Sequence, residues 1–266
     1  MIKHFMAEHV TGHRLMVLAK AQYGKAHNQS HNKMIMACDI VYVKTDYIGE
    51  VFNKMSMRSK PVKIITHNSD HVALANASLP ACVEKWYALN YGGTEHPIVE
   101  CLPLGLENRA SPEGYSGDAT VIDEIMKKQF RKQHLAFMNF NVYTNTRERF
   151  PVVERFLRES WVYYEPFGLQ FRECMEITSQ SKFVFCPPGN GWDTHRVYES
   201  LYLGAIPIVL NCYMYREFSK SVPMVLVNSW NDVTPGFLES EYERLGNTVF
   251  SYDILKMSYW KKRIKQ

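Results

Sequence analysis

KFVFCPPGNGWDTHRVYESLYLGAIPIVL, residues 182–210, is the stretch on which the fold turns. Lys182 to Phe185 is a short apolar run of strand length, and Ile206 to Leu210 is another. Between them lies a loop with two prolines and two glycines, then a helical pattern from Thr194 to Leu203 that stops at Gly204. Asp193 or Thr194 supplies the helix N-cap. Gly189 and Gly191 let a backbone turn tightly and approach a ligand without Cβ atoms in the way. Strand, glycine loop, helix and strand in that order form a unit of a parallel α/β sheet. Its helix start aims free N–H groups and a positive dipole end outward, which suits a phosphate.

Outward from this unit the same alternation recurs. Ile40–Val43 leads into YIGEVFNKM, and Val62–Ile65 leads into HNSDHVALANA, where a helix is expected. Cys101–Leu104 ends in Gly105, and Leu135–Phe140 precedes TRERFPVVERFLRES with helical spacing at Val152, Val153, Phe156 and Leu157. Met224–Val227 completes the series. The segment 111–133 breaks the rhythm, being polar and glycine-bearing before it becomes a charged helix. The expected architecture is therefore α/β, with two Rossmann-like domains facing each other across a cleft. Residues 1–120 form the acceptor-side domain, 121–250 the nucleotide-binding domain, and 251–266 a C-terminal helix that crosses back to the first.

The 266 residues suffice for two such halves, each with its own core. Apolar content of 46% with 22% charged residues belongs to a soluble globular chain. A net charge of +4 is too mild, and too scattered before the terminal KKRIKQ, to indicate a nucleic-acid partner. Lys3, His4, Glu8 and His9 interrupt any apolar leader, and the longest uncharged run, Ser200–Tyr215, falls short of a membrane span. The expectation is a cytoplasmic protein without membrane insertion. Six cysteines without a CxxC pair read as reduced core residues.

Arg196 and Glu199 are three apart and share a helix face. An arginine beside a diphosphate and a carboxylate accepting from ribose hydroxyls would hold a nucleotide. An intrahelical ion pair is the plainer alternative. His195 at the helix start could touch the ligand or be satisfied by backbone, and Asn190 could be loop scaffolding.

The pattern S-K-F-x-F-C-P-P-G-x-G-x-D-T-H-R-x-x-E-x-L-x-x-G-x-I-P-I-V, residues 181–209, resembles the donor-binding segment of exostosin-like glycosyltransferases. That resemblance implies a GT-B architecture, with a nucleotide-sugar in the C-terminal half. It places the pyrophosphate at Arg196 and the ribose at Glu199, among the donor contacts Gly189, Asn190, Gly191, Asp193, Thr194 and His195. It also implies a uridine-linked donor and inversion at the anomeric carbon. The small size is similar to soluble members of large algal viruses, which implies xylosyl transfer to fucose on a glycan.

MNFNVYTNTRER, residues 138–149, is similar to a strand–Asn–Arg segment that faces the same phosphates in these enzymes. Asn139, Arg147 and Arg149 are the candidates. The two arginines are two apart and cannot share a helix face, and Arg149 is preferred. The chain has no Asp-x-Asp, so arginines and a helix dipole must neutralise the diphosphate, and no metal is expected.

Transfer also needs a base for the acceptor hydroxyl. Thr66 to His71 places polar groups at a strand's carboxyl end. Asp70 is the first choice, with His67 or His71 second. Ser69 or Asp70 could instead cap a helix. Metal ligation by His67, Asp70 and His71 lacks further ligands at recognisable spacing. His71 and His96, the latter in the NYGGTEHP loop, are expected at the acceptor. A catalytically inactive nucleotide- or sugar-binding protein of the same fold is the rival reading. An α/β oxidoreductase is disfavoured, because no GxGxxG follows a strand.

Overall fold

The computed structural model describes residues 8–24, 31–74, 79–108, 119–128 and 130–266. The first half runs α1 (Gly12–Met16), β1 (Ala21–Tyr23), α2 (His31–Ala37), β2 (Ile40–Lys44), α3 (Ile48–Met55), β3 (Val62–His67), β4 (Val83–Leu89) and β5 (Val99–Leu102). The second runs α4 (Ala119–Lys127), β6 (His134–Met138), α5 (Thr146–Phe156), β7 (Val162–Tyr164), α6 (Phe171–Gln180), β8 (Ser181–Phe185), α7 (His195–Tyr202) and β9 (Ile206–Leu210). It continues with α8 (Tyr213–Ser219), β10 (Val225–Val227), α9 (Pro235–Gly246) and α10 (Met257–Lys265).

Each half contributes one five-stranded sheet in which every pairing is parallel. Parallel strands are buried on both faces, and the side chains show it. In the second sheet Ala136, Met138, Phe183 and Phe185 pack with Val152, Phe156, Leu238 and Leu245 of α5 and α9. Their neighbours Phe137, Val184 and Cys186 point the other way, into a core shared with Met175, Val197 and Leu201 of α6 and α7. That second core is continuous with the first sheet, so the halves are packed together on one side.

The strand orders differ. The second sheet is β7-β6-β8-β9-β10, so the chain starts inside the sheet, steps outward, then returns and continues on the other side. This doubly wound order opens a crevice between the carboxyl ends of β6 and β8. The first sheet runs β1-β2-β3-β4-β5 in sequence order and has no such reversal. On one of its faces Phe52 of α3 meets Trp86 edge-on at 5.3 Å. On the other, the Tyr87 hydroxyl donates to the Arg263 carbonyl of α10 (2.8 Å), and Arg263 makes two hydrogen bonds to Glu100. The two parallel α/β units face each other across a cleft, the two-domain arrangement expected from the sequence.

The helix expected in HNSDHVALANA is absent from its described part, residues 68–74; residues 75–78 lie outside the described residues. Asn68 turns left-handed (φ 55°), and Ala73 forms a parallel bridge to Tyr91. Val72 and Leu74 are exposed while Ala73 is buried, which is the two-residue period of extended chain. The six cysteines are free thiols, four of them buried. No helix among the described residues is long and apolar enough to cross a membrane.

Candidate active site

The carboxyl ends of the two sheets meet at a cleft of about 720 Å³. One wall comes from the strand ends of the first half and carries Lys44, Asp46, His67, Asn68, Ser69, Asp70, His71 and Glu107. The opposite wall comes from the β6–β8 crevice and the start of α7, with Phe140, Asn141, Arg149, Gly189, Asn190, Gly191, Thr194, Arg196 and Glu199.

Two helix starts converge on the second wall. Asn145 caps α5 by accepting from Glu148 N, and its amide donates to the Gly189 carbonyl (2.7 Å), tying α5 to the glycine loop. Arg149, one turn on, is buried against that loop. Its Nε donates to Pro188 O (2.9 Å), one Nη to Asn141 O (2.8 Å), and the Phe140 ring lies 5.5 Å away. A Cβ on Gly189 would sit 3.0 Å from the other Nη, so a side chain there would crowd the guanidinium. No carboxylate among the described residues pairs with Arg149. Burial, with the neighbouring Arg196 charge, pulls its pKa down to about 10.

Arg196 opens α7. Its Nε is 3.2 Å from Glu199, and an Nη donates to Cys174 Sγ (2.9 Å). The intrahelical pair weighed from the sequence is therefore present, and both residues also line the cleft. Thr194 is the N-cap, yet it makes no side-chain cap bond, and its buried hydroxyl has no partner among the described residues. The second wall thus holds two nearby guanidiniums, an unused hydroxyl and a helix N-terminus.

Asp193 and His195 join the halves. Asp193 Oδ2 accepts from Leu104 N (2.9 Å) and from the Tyr198 hydroxyl. Oδ1 accepts from Thr194 N (3.0 Å) and the Tyr215 hydroxyl (3.1 Å). Burial pushes the Asp193 pKa up to about 6, against the Tyr198, Leu104 and Tyr215 donors and the His195 charge. Both its oxygens are committed within the fold. His195 Nδ1 donates to Gly105 O (2.7 Å), and Nε2 faces Glu107 at 3.2 Å. Burial opposes its charge, but the Glu107 carboxylate and the Gly105 carbonyl outweigh it and raise the pKa. With an acceptor at each nitrogen, His195 is a clasp between the halves and has no N–H left for a ligand.

On the first wall His67 is buried between Pro103 O (3.1 Å) and Asn68 Oδ1 (3.2 Å), and burial drives its pKa down to about 4. It is neutral at pH 7 and a weak base. Asp70 is exposed to the cleft. Its neighbours are tethered: Ser69 Oγ accepts from His71 N, and His71 Nε2 lies 3.4 Å from Asp46. Asp46 also pairs with Lys44 at 3.2 Å.

Three candidates lie outside the cleft. Asn139 is buried and donates to Glu165 O and Pro166 O, pinning the chain after β7. Arg147 is exposed on α5, on a different face from Arg149. His96 sits in the β4–β5 loop, where its carbonyl accepts from Val99 N. Lys44, Asp46, Glu107, Phe140 and Asn141 line the cleft and were not singled out from the sequence. The signal for the first two was available: they directly follow IVYV, at a parallel strand's carboxyl end.

No family model matches the chain, and no curated protein matches it. Among solved structures it is similar to UDP-GlcNAc 2-epimerase from Methanocaldococcus jannaschii, at 9% identity and a TM-score of 0.37, over 91% of this chain and 82% of that one.

Proposed function

We propose that the protein is a glycosyltransferase of the exostosin-like kind, moving a sugar from a uridine-diphosphate donor to a glycan hydroxyl without a metal ion. The observation that carries this reading is Arg149, a buried guanidinium beside a second one, with no carboxylate to offset it. Arg196 is offset by Glu199, but the buried charge of Arg149 meets only carbonyl oxygens; that raises the free energy of the empty site, and a bound diphosphate offsets the cost. Arg149, Arg196, the Thr194 hydroxyl and the α7 N-terminus would receive the diphosphate, and Glu199 would accept from the ribose hydroxyls.

Asp70 is the base. Its carboxylate takes the proton of the acceptor hydroxyl as that oxygen attacks the anomeric carbon. The carbon–oxygen bond to the β-phosphate breaks on the opposite face, inverting the configuration. The leaving diphosphate takes the electron pair, and its added charge falls on the two arginines. His67, neutral and with a single N–H to give, is buried against Pro103 O and the Asn68 side chain and holds the start of the Asp70 segment. His71 meets the acceptor beside Asp46. Uridine rests on the resemblance of residues 181–209, xylose and fucose on the likeness to algal-virus members of the family, and the cytoplasm remains the proposed compartment.

The test is UDP release from a panel of UDP-sugars in EDTA, with methyl glycosides as acceptors. Turnover on a UDP-sugar, lost in Asp70→Asn, supports the reading. Turnover that needs manganese refutes the metal-free part, and no turnover with any donor refutes the transferase.

A further inference from the structure

Asn90, the residue that follows β4, lines neither wall of the cleft but is bonded to both. It is buried and left-handed (φ 51°), a conformation asparagine tolerates better than most residues. Its Oδ1 accepts from Asp193 N (2.8 Å), in the loop that leads into α7. Its Nδ2 donates to Ser69 O (3.2 Å), the residue preceding Asp70. A backbone N–H on one side and a carbonyl on the other leave only one orientation of the amide that satisfies both. Gly191 is pressed against it: a Cβ there would come within 2.6 Å of Nδ2. One side chain thus spans from the anion-facing loop of the second half to the carboxylate-bearing loop of the first.

The Asp70 loop is staked from other sides too. Asp46 holds His71 beyond Asp70, and Asn108 donates to Asn68 Oδ1 (3.2 Å). Both of these anchors belong to the first half, whereas Asn90 alone among the three also bonds the second.

We propose that Asn90 is a positioning residue that sets the Asp70 carboxylate at its working distance from the diphosphate site, so that deprotonation and leaving-group departure are aligned. The proposal rests on the transferase reading above. Asn90 touches no substrate and acts through Ser69 and Asp193. Because alignment errors on the order of 1 Å can cost about 100-fold in rate, a residue of this kind acts on kcat and leaves nucleotide affinity nearly unchanged.

Asn90→Asp discriminates, because it keeps the acceptor for Asp193 N and sets a carboxylate oxygen against Ser69 O. In EDTA its Kd for UDP should stay within about 3-fold of wild type, while kcat for UDP release from UDP-xylose falls roughly 10–100-fold. In an Asp70→Asn background the same change should add no further loss, because the two residues act as one unit. UDP should also slow amide exchange at residues 68–72 of the wild type, and not of Asn90→Asp. Asn90→Gly, which accepts the left-handed backbone and removes both bonds, gives a second variant should the aspartate fail to fold; it should show the same kcat loss. Unchanged kcat in a folded variant, losses that add to those of Asp70→Asn, or equal protection of residues 68–72 in both proteins would overturn the proposal while leaving donor binding intact. If the wild type binds no UDP, the donor reading fails first and the coupling fails with it.

Discussion

The two halves carry sheets of equal size and opposite habit. The second sheet reverses its strand order between β6 and β8, and two helices begin at that reversal. The first sheet never reverses, and β3 and β4 are each followed by a left-handed asparagine, Asn68 and Asn90, that leads into a loop. One half thus presents helix dipoles and guanidiniums, which fit a fixed anion. The other presents a loop of short polar side chains, which fits proton transfer and hydroxyl recognition. The comparison teaches that two parallel sheets of equal size gain different chemistry from their strand order and from how their strand ends are connected.

Four predictions press on that division, from the largest effect to the smallest. Asp70→Asn should reduce sugar transfer about 10²–10⁴-fold, the range of a lost general base, with UDP affinity unchanged. Rate constants from UDP-release assays decide it, and a loss of UDP binding would mean the halves are not divided as described. Arg149→Gln should do the reverse, weakening UDP binding about 10–150-fold, as expected for hydrogen bonds from a charged group.

Asp193 tests the clasp between the halves. Its folded pKa, near 6, lies above the ordinary carboxylate value, so its contribution to stability is present at low pH and is lost as pH rises through about 6. Wild type should therefore lose stability relative to Asp193→Asn between pH 4 and 7, by at most about 3 kcal/mol. His195, also raised, acts in the same direction above its ordinary range. Urea midpoints of the two proteins across that window show it, and a constant difference would place the Asp193 charge outside the clasp. Gly191→Ala pushes a methyl group against Asn90 and should cost about 1–3 kcal/mol of stability, visible as a lower Tm.

Legibility followed the same division. In the second half, the apolar runs 182–185 and 206–210 and the glycine loop between them are local signals, and β8, α7 and β9 formed where the pattern placed them. Arg196, Glu199 and Arg149 reached the cleft because helix periodicity and strand polarity set where their side chains emerge. In the first half the information is tertiary. HNSDHVALANA has apolar residues that suit a helix, yet the Ala73–Tyr91 bridge holds 72–74 extended. Val83–Leu89 mixes charged and apolar residues because its start, Glu84 and Lys85, stays at the surface, while the apolar remainder is buried by contacts distant in sequence, with α3 on one face and α10 on the other. No local pattern announces that Asp193 would be consumed by donors from Leu104, Tyr198 and Tyr215. Asn139 lies outside the cleft for a related reason: its amide is taken by the chain after β7.

The central claim is that the second half binds a nucleotide diphosphate through the buried Arg149 and the half-buried Arg196, while the first half supplies the base. The most direct measurement is calorimetric titration of UDP, in EDTA, into wild type, Arg149→Gln and Asp70→Asn. The account predicts matching affinities for wild type and Asp70→Asn and a loss of about 10-fold or more in Arg149→Gln. Absence of UDP binding to the wild type, or an Arg149→Gln protein that binds as well as wild type, would contradict it.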